Sequence, residues 1–323
     1  MKSNVHSILI HNDGYLLFTT IDNKLYCWPI KNFDLARLQR DFPGRSLERG
    51  SKLLAISETN SQVIVELPRG NLEAFCPRIL LLDLVDKHLD SKRYAEAFEI
   101  LRKNRINLNY ICDYNFEKFM HNCRQFVEQL GDDRIDWLCL LLFDLSPANH
   151  YHLLTHHEPE TRIENKMNRI CDEFLNTLTQ MDEIKFLKPI VLCHVKKDVA
   201  EIDQALFRIY RLNDGKLQAM AIKFLLSIVD STKLIEEALG TYDFDILLMV
   251  VSKSNKDPRE FQMLIDDFRC IDDENYRKYR IDLHLHRYRK CLQHLQKCPD
   301  KLDEALQLIQ NKHLYNDAIA IYG

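Results

Sequence analysis

The chain has 323 residues, of which 46% are hydrophobic and 28% are charged, and its formal net charge is −4. These values are those of an ordinary globular protein with a sizeable core, and they exclude a global positive field that would attract nucleic acid or anionic membranes. The longest wholly apolar run, Trp137 to Phe143, is far shorter than the roughly 20 residues that span a bilayer, so no membrane partner is expected.

The cysteines point to a reducing compartment. All ten are scattered, mostly singly within apolar runs such as those around Cys139 and Cys171. A disulfide framework usually belongs to a shorter secreted chain, and the first fifteen residues lack the apolar core of a signal peptide. The expected location is therefore intracellular: cytoplasmic, with the nucleus as a further expected compartment.

Residues 5–67 show the pattern of β structure. Five short segments of β-forming residues recur every 8 to 12 residues, with turn residues between them. The predicted strands are Ser7–His11, Tyr15–Thr20, Lys24–Trp28, Lys52–Ser57 and Gln62–Leu67. Because a propeller needs four or more blades, this stretch is too short to close one. We expect residues 1–67 to be strands of a partial β-propeller.

The next residues mark a joint between two kinds of structure. Pro68 cannot continue a strand ladder and Gly70 permits a turn, so Pro68, Arg69 and Gly70 are the predicted domain joint. Residues 68–76 are the predicted linker. Residues 77–323 are predicted to form an α-solenoid of TPR-like helix pairs, so the fold class is mainly α.

A recurring apolar stripe supports the prediction of helix pairs. Four segments place apolar residues at positions i, i+3, i+4 and i+7, with a small alanine second. These are Tyr94-Ala97-Phe98-Leu101, Ile202-Ala205-Leu206-Ile209, Ile235-Ala238-Leu239-Tyr242 and Leu302-Ala305-Leu306-Ile309. Their starts are 108, 33 and 67 residues apart, close to multiples of a 33- to 36-residue helix-pair repeat.

One segment of the predicted solenoid, residues 276–297, is strongly basic. It carries seven cations against the single acid Asp282, and Tyr276, Tyr279 and Tyr288 are interleaved with them. Basic groups with aromatic neighbours suit contacts to an RNA backbone and its bases. The candidate RNA contacts are Arg277, Lys278, Arg280, Arg287, Arg289 and Lys290. The alternative is that the tyrosines pack inward while the cations keep the outer face hydrated.

Two groups of cysteine and histidine residues could either bind a metal or serve only the structure. Cys291, His294 and Cys298 would share a helical face with spacing that zinc could accept, but no second pair of ligands accompanies them. Histidines also cluster at His150, His152, His156 and His157. In both groups we expect core cysteines and hydrated histidines, so no metal site is predicted; a zinc-dependent RNA-binding module at Cys291, His294 and Cys298 remains an alternative.

Catalytic signatures are absent from the sequence. It contains no P-loop, no glycine-rich dinucleotide motif after a strand, no nucleophile elbow and no HExxH. We therefore expect no catalytic residue, no cofactor and no enzymatic activity of the chain by itself.

Four stretches carry a resemblance to a known family. They are VELPRGNLEAFCPR from Val65, AFEILRKNRINLNYICDYN from Ala97, the segment Glu236–Phe261 and the segment Ala305–Tyr322. The chain resembles the large scaffold subunit of the Elongator complex, the IKAP family, over the end of the second β-propeller of that family and its helical solenoid.

The resemblance implies a role in a complex that adds a carboxymethyl-type group to carbon 5 of the wobble uridine of tRNA. The chemistry would belong to another subunit, which uses radical S-adenosylmethionine chemistry and acetyl-CoA, and this chain would dock partners. Relative to the family, the C-terminal dimerisation region and the basic tRNA-binding tail are missing. Self-association is therefore not assumed, and contact with tRNA is expected to be indirect or weak.

A second class of function has the same expected architecture. Vesicle-coat and tethering subunits also join propellers to solenoids, so a coat or tethering subunit is the alternative. Nothing in residues 62–115 favours it over the Elongator scaffold.

Overall fold

The computed structural model describes residues 5–11, 14–30, 44–57, 61–151 and 163–322. The chain divides into two compact units, residues 1–170 (unit 1) and residues 171–323 (unit 2). Unit 1 contains the strands and the first helices, and unit 2 is helical throughout its described residues.

The described strands of unit 1 form two antiparallel sheets. They are β1 Val5–His11, β2 Tyr15–Thr20, β3 Lys24–Pro29, β4 Arg45–Ser46, β5 Lys52–Ile56, β6 Val63–Glu66 and β7 Leu72–Phe75. The first sheet has the order β1-β2-β3-β4 and the second the order β5-β6-β7. The predicted strands therefore exist, whereas the predicted turn residues 12–13 and 58–60 lie outside the described residues.

Alternating side chains of the two sheets share one core. Leu17, Leu25, Leu53 and Val63 have exposed fractions between 0% and 7%, and Leu80 of the first helix joins their cluster. Successive side chains of a strand point to opposite faces, and in β6 they alternate between buried and half-buried as the period-2 pattern requires. In β2 and β3 the second face is buried as well, because Phe18, Tyr26 and Trp28 form a cluster of their own. Whether these sheets belong to a propeller stays a prediction.

The predicted joint differs from the structure at residues 68–76. Pro68, Arg69 and Gly70 form an exposed turn, closed by a hydrogen bond from the Gly70 amide to the Leu67 carbonyl oxygen at 2.9 Å. The turn returns the chain as β7, which pairs with β6. The prediction of a linker over this whole stretch was therefore wrong, because a Pro-x-Gly sequence can close a hairpin as readily as it ends a sheet.

Helices begin directly after β7. In unit 1 they are α1 Arg78–Asp90, α2 Tyr94–Lys103, α3 Asn109–Tyr114, α4 Phe116–His121, α5 Cys123–Leu130 and α6 Ile135–Asp144. Helix α7, Lys166–Asp182, contains the boundary between the units. The stripe predicted on α2 is confirmed, since Tyr94, Ala97, Phe98 and Leu101 are each at most 2% exposed.

Unit 2 continues as short helices joined by tight turns. They are α8 Leu187–Lys196, α9 Ile202–Tyr210, α10 Gly215–Ile228, α11 Ser231–Leu239, α12 Phe244–Val251, α13 Pro258–Arg269, α14 Glu274–His284, α15 Tyr288–Leu295, α16 Leu302–Lys312 and α17 Tyr315–Tyr322. The stripes of α9 and α11 are buried in one core. The predicted fold class, mainly α with a short β segment before the helical repeats, is confirmed.

The last predicted stripe is only half buried. Ala305 is 1% exposed, whereas Leu302 is 56% and Leu306 is 49% exposed. One side of α16 packs on α14 and α15, whereas Leu302 and Leu306 line an open cleft together with residues of α17. The helical period predicts an apolar face and cannot say how much of that face is covered.

Four helix–helix turns share one geometry. In each, a residue with positive φ stands two positions before the aromatic residue that opens the next helix: Lys92 before Tyr94, Tyr242 before Phe244, His286 before Tyr288, and His313 before Tyr315. The left-handed conformation costs roughly 1 kcal/mol for an L residue, and the capping hydrogen bonds offset this cost. After α14, for example, the Arg287 amide donates to the Asp282 carbonyl oxygen at 2.8 Å.

Among the described residues, no helix is both long enough and apolar enough to cross a membrane.

Candidate nucleic-acid interface

The basic segment folds into a helical hairpin, α14 and α15, which we call the basic hairpin. Asp273 begins it by accepting a hydrogen bond from the Tyr276 amide at 2.7 Å, which satisfies one of the free amides of the first turn of α14. The turn at His286 reverses the chain, with φ of 57°. Five of the six candidate RNA contacts therefore lie on one pair of neighbouring helices, and Arg287 lies in the turn between them.

Two of these cations, both on α14, already have partners in the fold. Arg277 donates through Nη1 to the Ile271 carbonyl oxygen at 3.4 Å. Lys278 places Nζ 2.5 Å from Glu274 Oε1 and 5.7 Å from the centre of the Tyr242 ring. The Lys278 ammonium is also the largest cause that lowers the pKa of Glu274. Both cations thus hold their own helix in place as well as adding charge.

Arg287 and Arg289 also have acidic neighbours. The Nη2 atom of Arg287 lies 2.9 Å from Glu237 Oε2, with only 21% of the arginine side chain exposed. Its guanidinium occupies the space that a Cβ at Gly240 would need, so the absence of a side chain at Gly240 admits it. Arg289 Nε lies 3.7 Å from Asp317 Oδ1 and is largely exposed. Of the two, Arg289 has more of its charge available to solvent.

Arg280 and Lys290 are the most available cations of the basic hairpin. Both are exposed, and neither has an ion pair or side-chain hydrogen bond to another described residue. An exposed cation without a fixed partner can neutralise a phosphate without first breaking an internal contact. We therefore rank these two first among the six candidates, whose role in RNA contact stays a prediction.

The tyrosines of the segment are engaged in the protein. Tyr279 is 5% exposed, and burial is the main cause that raises its pKa to about 12. Tyr276 donates its hydroxyl to Glu304 at 3.0 Å, and the Tyr288 hydroxyl lies 3.1 Å from His286 Nδ1. A base would have to displace these contacts to stack on the rings, so the geometry favours backbone contact over base stacking.

Beneath the basic hairpin lies a buried polar cluster of three side chains. Asp282 is fully buried and accepts a hydrogen bond from the Tyr242 hydroxyl at 2.8 Å. His294 Nε2 lies 3.2 Å from the same hydroxyl and 3.4 Å from Asp282 Oδ2. Burial raises the pKa of Asp282 and lowers the pKa of His294. The single acid of the segment therefore joins the two helices from inside, where the charges of Lys290 and Arg287 also act on it.

The residues of the zinc alternative serve other contacts. Cys291 is buried, with Sγ 3.9 Å from the Tyr279 carbonyl oxygen, and Cys298 Sγ lies 3.7 Å from Asp273 Oδ1. Together with the engagement of His294, this leaves no cluster of three or more potential metal ligands in the described part of the chain.

Of the four clustered histidines, His150 is described, and His152, His156 and His157 lie outside the described residues. The amide of His150 donates to Asp113 Oδ2 at 2.7 Å, and its Nε2 lies 2.8 Å from Ser146 Oγ. Burial lowers the pKa of His150. This histidine therefore helps to hold the chain that leaves α6.

The sequence reasoning missed the buried ion pair to which His150 is linked. Lys166, only 2% exposed, places Nζ 2.7 Å from Asp113 Oδ1 and donates to Asn109 Oδ1 at 3.2 Å and to the Ala148 carbonyl oxygen at 2.8 Å. A lysine at the start of a helix is normally expected to be exposed to solvent. The only signal in the sequence for a buried ion pair is the position of Lys166 after a polar loop.

Comparison with known proteins agrees with the resemblance seen in the sequence. A family model described as ELP1 alpha-solenoid matches residues 78–267, which is more than half of the chain. Proteins called Elongator complex protein 1 are 34% identical to it in Rattus norvegicus, 33% in Oryctolagus cuniculus and 30% in Saccharomyces cerevisiae, each over 100% of this chain. The chain spans 26% of the length of these relatives. It belongs to the ELP1 alpha-solenoid family.

Proposed function

We propose that the chain is a non-catalytic scaffold segment of the Elongator complex. Family membership carries this proposal, together with a series of helices that pack against one another along the chain and expose their outer faces. Helical repeats of this kind present extended surfaces on which partners dock. No signature of catalysis competes with that role.

The finer part of the proposal is that this assembly modifies the wobble uridine of tRNA at carbon 5. The radical and acetyl-CoA chemistry would reside in another subunit, and the present chain would hold that subunit or its neighbours. The expected compartments are the cytoplasm and, in addition, the nucleus. What supports this part is the resemblance to the IKAP family.

A pull-down of the tagged chain from cells that contain the other Elongator subunits tests the scaffold role. We expect mass spectrometry to identify Elongator subunits in the eluate at levels well above those recovered with the tag alone. Recovery of coat or tethering proteins in their place would favour the alternative. A soluble, helical bait that recovers no Elongator subunit would contradict a docking surface for Elongator subunits within this segment.

The same proposal gives the basic hairpin a weak contact with the tRNA backbone. We expect the double change Arg280→Glu and Lys290→Glu to weaken binding to a labelled tRNA by about tenfold at low salt. The reason is that a chain with fewer phosphate contacts releases fewer counterions from the tRNA when it binds. The slope of log affinity against log salt should fall in magnitude by about two. Fluorescence anisotropy over a salt series measures both quantities.

A matched control carries the same change in charge elsewhere in unit 2. Lys216 and Lys223 are exposed on α10, and Lys216→Glu with Lys223→Glu should leave the affinity within about twofold of the unchanged chain, since neither belongs to the predicted contact. If both double variants weaken tRNA equally, the effect is one of net charge, and the basic hairpin is not the interface.

A further inference from the structure

A cleft in unit 2 combines cationic and apolar side chains. It has a volume of about 600 Å³ and is lined by Glu183, Gln204, Phe207, Arg208, Arg211 and Leu212. Gln204, Phe207 and Arg208 lie on the side of α9 opposite its buried stripe, and Arg211, directly after the helix, continues their spacing of i, i+3, i+4 and i+7. No part of the sequence reasoning singled out this face.

Both arginines of the cleft keep donors available. Arg208 uses Nη1 for Glu183 Oε1 at 2.7 Å and for Thr179 Oγ1 at 3.5 Å. Its Nε and Nη2 atoms have no partner among the described residues, and 31% of the side chain is exposed. Arg211 is exposed and likewise has no ion pair to any described residue. Two guanidinium groups therefore face the same cleft with unused N–H groups.

The apolar wall of the cleft is held by the core. Phe207 and Leu212 are half-buried and pack against the main hydrophobic cluster of unit 2. The chain after α9 is fixed as well, because Gln218 Nε2 donates to the carbonyl oxygens of Leu212 at 2.8 Å and Tyr210 at 3.0 Å. A wall that is already ordered loses little conformational freedom when a ligand binds.

The opposite rim is also fixed. Asp182 Oδ1 accepts hydrogen bonds from the amides of Ile184 at 3.1 Å and Lys185 at 2.9 Å, which holds the turn that carries Glu183. Glu183 keeps Arg208 in position while leaving the second edge of its guanidinium free. Arg208 is thus oriented before any ligand arrives.

The charges and shape favour a carboxylate next to an apolar side chain. An arginine can bind a carboxylate through two parallel N–H donors, and such bonds are stronger than neutral ones. RNA is less suited, because only two arginines face the cleft and a row of phosphates would leave the apolar wall of Phe207 and Leu212 without a partner. The lining therefore discriminates in favour of an acidic, apolar segment of a protein.

We propose that this cleft binds an acidic segment of a partner protein, with a carboxylate on Arg211 and the free edge of Arg208 and a neighbouring apolar side chain against Phe207 and Leu212. The identity of the partner as an Elongator subunit rests on the proposed function. The preference of the cleft for an acidic peptide does not rest on the proposed function. If the pull-down recovers no Elongator subunit but the peptide still binds, the proposal for the cleft stands and the scaffold role is contradicted.

Fluorescence anisotropy with the purified full chain tests the proposal. The probe is a labelled peptide in which aspartate alternates with leucine, and the matched probe has asparagine in place of aspartate. We expect the aspartate peptide to bind at least about tenfold more tightly than the asparagine peptide, the effect of one charge-assisted hydrogen bond or more. Arg208→Ala with Arg211→Ala should remove that preference.

Two further variants separate binding from folding. Gln204→Glu adds a negative charge to the cleft at an exposed position. It should weaken the binding of the aspartate peptide without changing the affinity for the asparagine peptide. Lys216→Ala with Lys223→Ala removes two cations of α10 that lie outside the lining of the cleft, and it should change the affinity for neither peptide. The proposal is overturned by equal affinity for the two peptides, by no binding of either at millimolar concentration, or by a short RNA that competes through the same arginines.

Discussion

Replacing Lys166 with methionine is expected to destabilise unit 1 by about 3–5 kcal/mol, because it leaves the buried Asp113 carboxylate without its counter-charge. Lys166 Nζ lies 2.7 and 3.0 Å from the two oxygens of Asp113, and both side chains are at most 1% exposed. The carbonyl oxygen of Ala148 would lose its donor as well. Methionine is unbranched and only one heavy atom shorter than lysine, so the loss is mainly one of charge and hydrogen bonds rather than of volume.

The unfolding of unit 1 can be followed separately. The two tryptophans of the chain, Trp28 and Trp137, both lie in unit 1, so their fluorescence in urea reports that unit alone. Circular dichroism at helical wavelengths reports both units. In the Lys166→Met variant we expect the fluorescence transition to shift to lower urea while a second, helical transition stays in place.

A double variant tests the physical reason for the loss. Lys166→Met with Asp113→Asn removes both charges and keeps an oxygen that can accept the His150 amide, so it should recover at least about 2 kcal/mol relative to Lys166→Met. If the double variant is no more stable than the single one, the penalty does not come from an unpaired buried carboxylate.

The sequence predicted those features that depend on local spacing. The stripes that contain Phe98 and Leu206 are buried as the helical period requires, and the strand around Val65 alternates as a half-buried sheet does. The mainly helical character of the chain followed from the same reasoning. These features need only the geometry of one element and the preference of apolar groups for burial.

Features that depend on contacts between distant residues were not predictable in this way. Lys166 and Asp113 are 53 positions apart, and nothing in their local patterns marks either as buried. The Tyr242 hydroxyl likewise reaches Asp282 from the turn between α11 and α12, and the Tyr276 hydroxyl reaches Glu304 from α14. For the basic hairpin, composition gave the excess of cations, and only the fold separates Arg280 and Lys290 from the cations with internal partners.

The second large effect expected concerns Asp86, on the face of α1 that also carries Asp83 and Asp90. Burial raises the pKa of Asp86 from an ordinary value of 3.8 to about 7, and the neighbouring carboxylates add to the shift. The hydrogen bond from the Tyr110 hydroxyl, at 2.7 Å, opposes it without cancelling it. The native state therefore retains a proton that the unfolded chain has already lost between about pH 4 and 7.

The sign of the pH dependence follows from that difference. Because the native state binds more protons in this window, the contribution of Asp86 to the free energy of unfolding falls as pH rises, by at most about 1.4 kcal/mol per pH unit. Asp86→Asn cannot ionise and keeps an oxygen for the Tyr110 hydroxyl. We expect it to match the unchanged chain near pH 4 and to be more stable by about 2–4 kcal/mol at pH 8.

Urea unfolding followed by tryptophan fluorescence at several pH values measures the difference between variant and unchanged chain. Asp133→Asn is the matched control, since Asp133 is exposed in unit 1 and its replacement should shift the stability by no more than about 0.5 kcal/mol at any pH. A constant difference between Asp86→Asn and the unchanged chain from pH 4 to 8 would mean that Asp86 is already ionised in the native state. The hydrogen bond between the Asp86 carboxylate and Tyr110 would then stabilise the native state, and Asp86→Asn should have the lower free energy of unfolding at every pH.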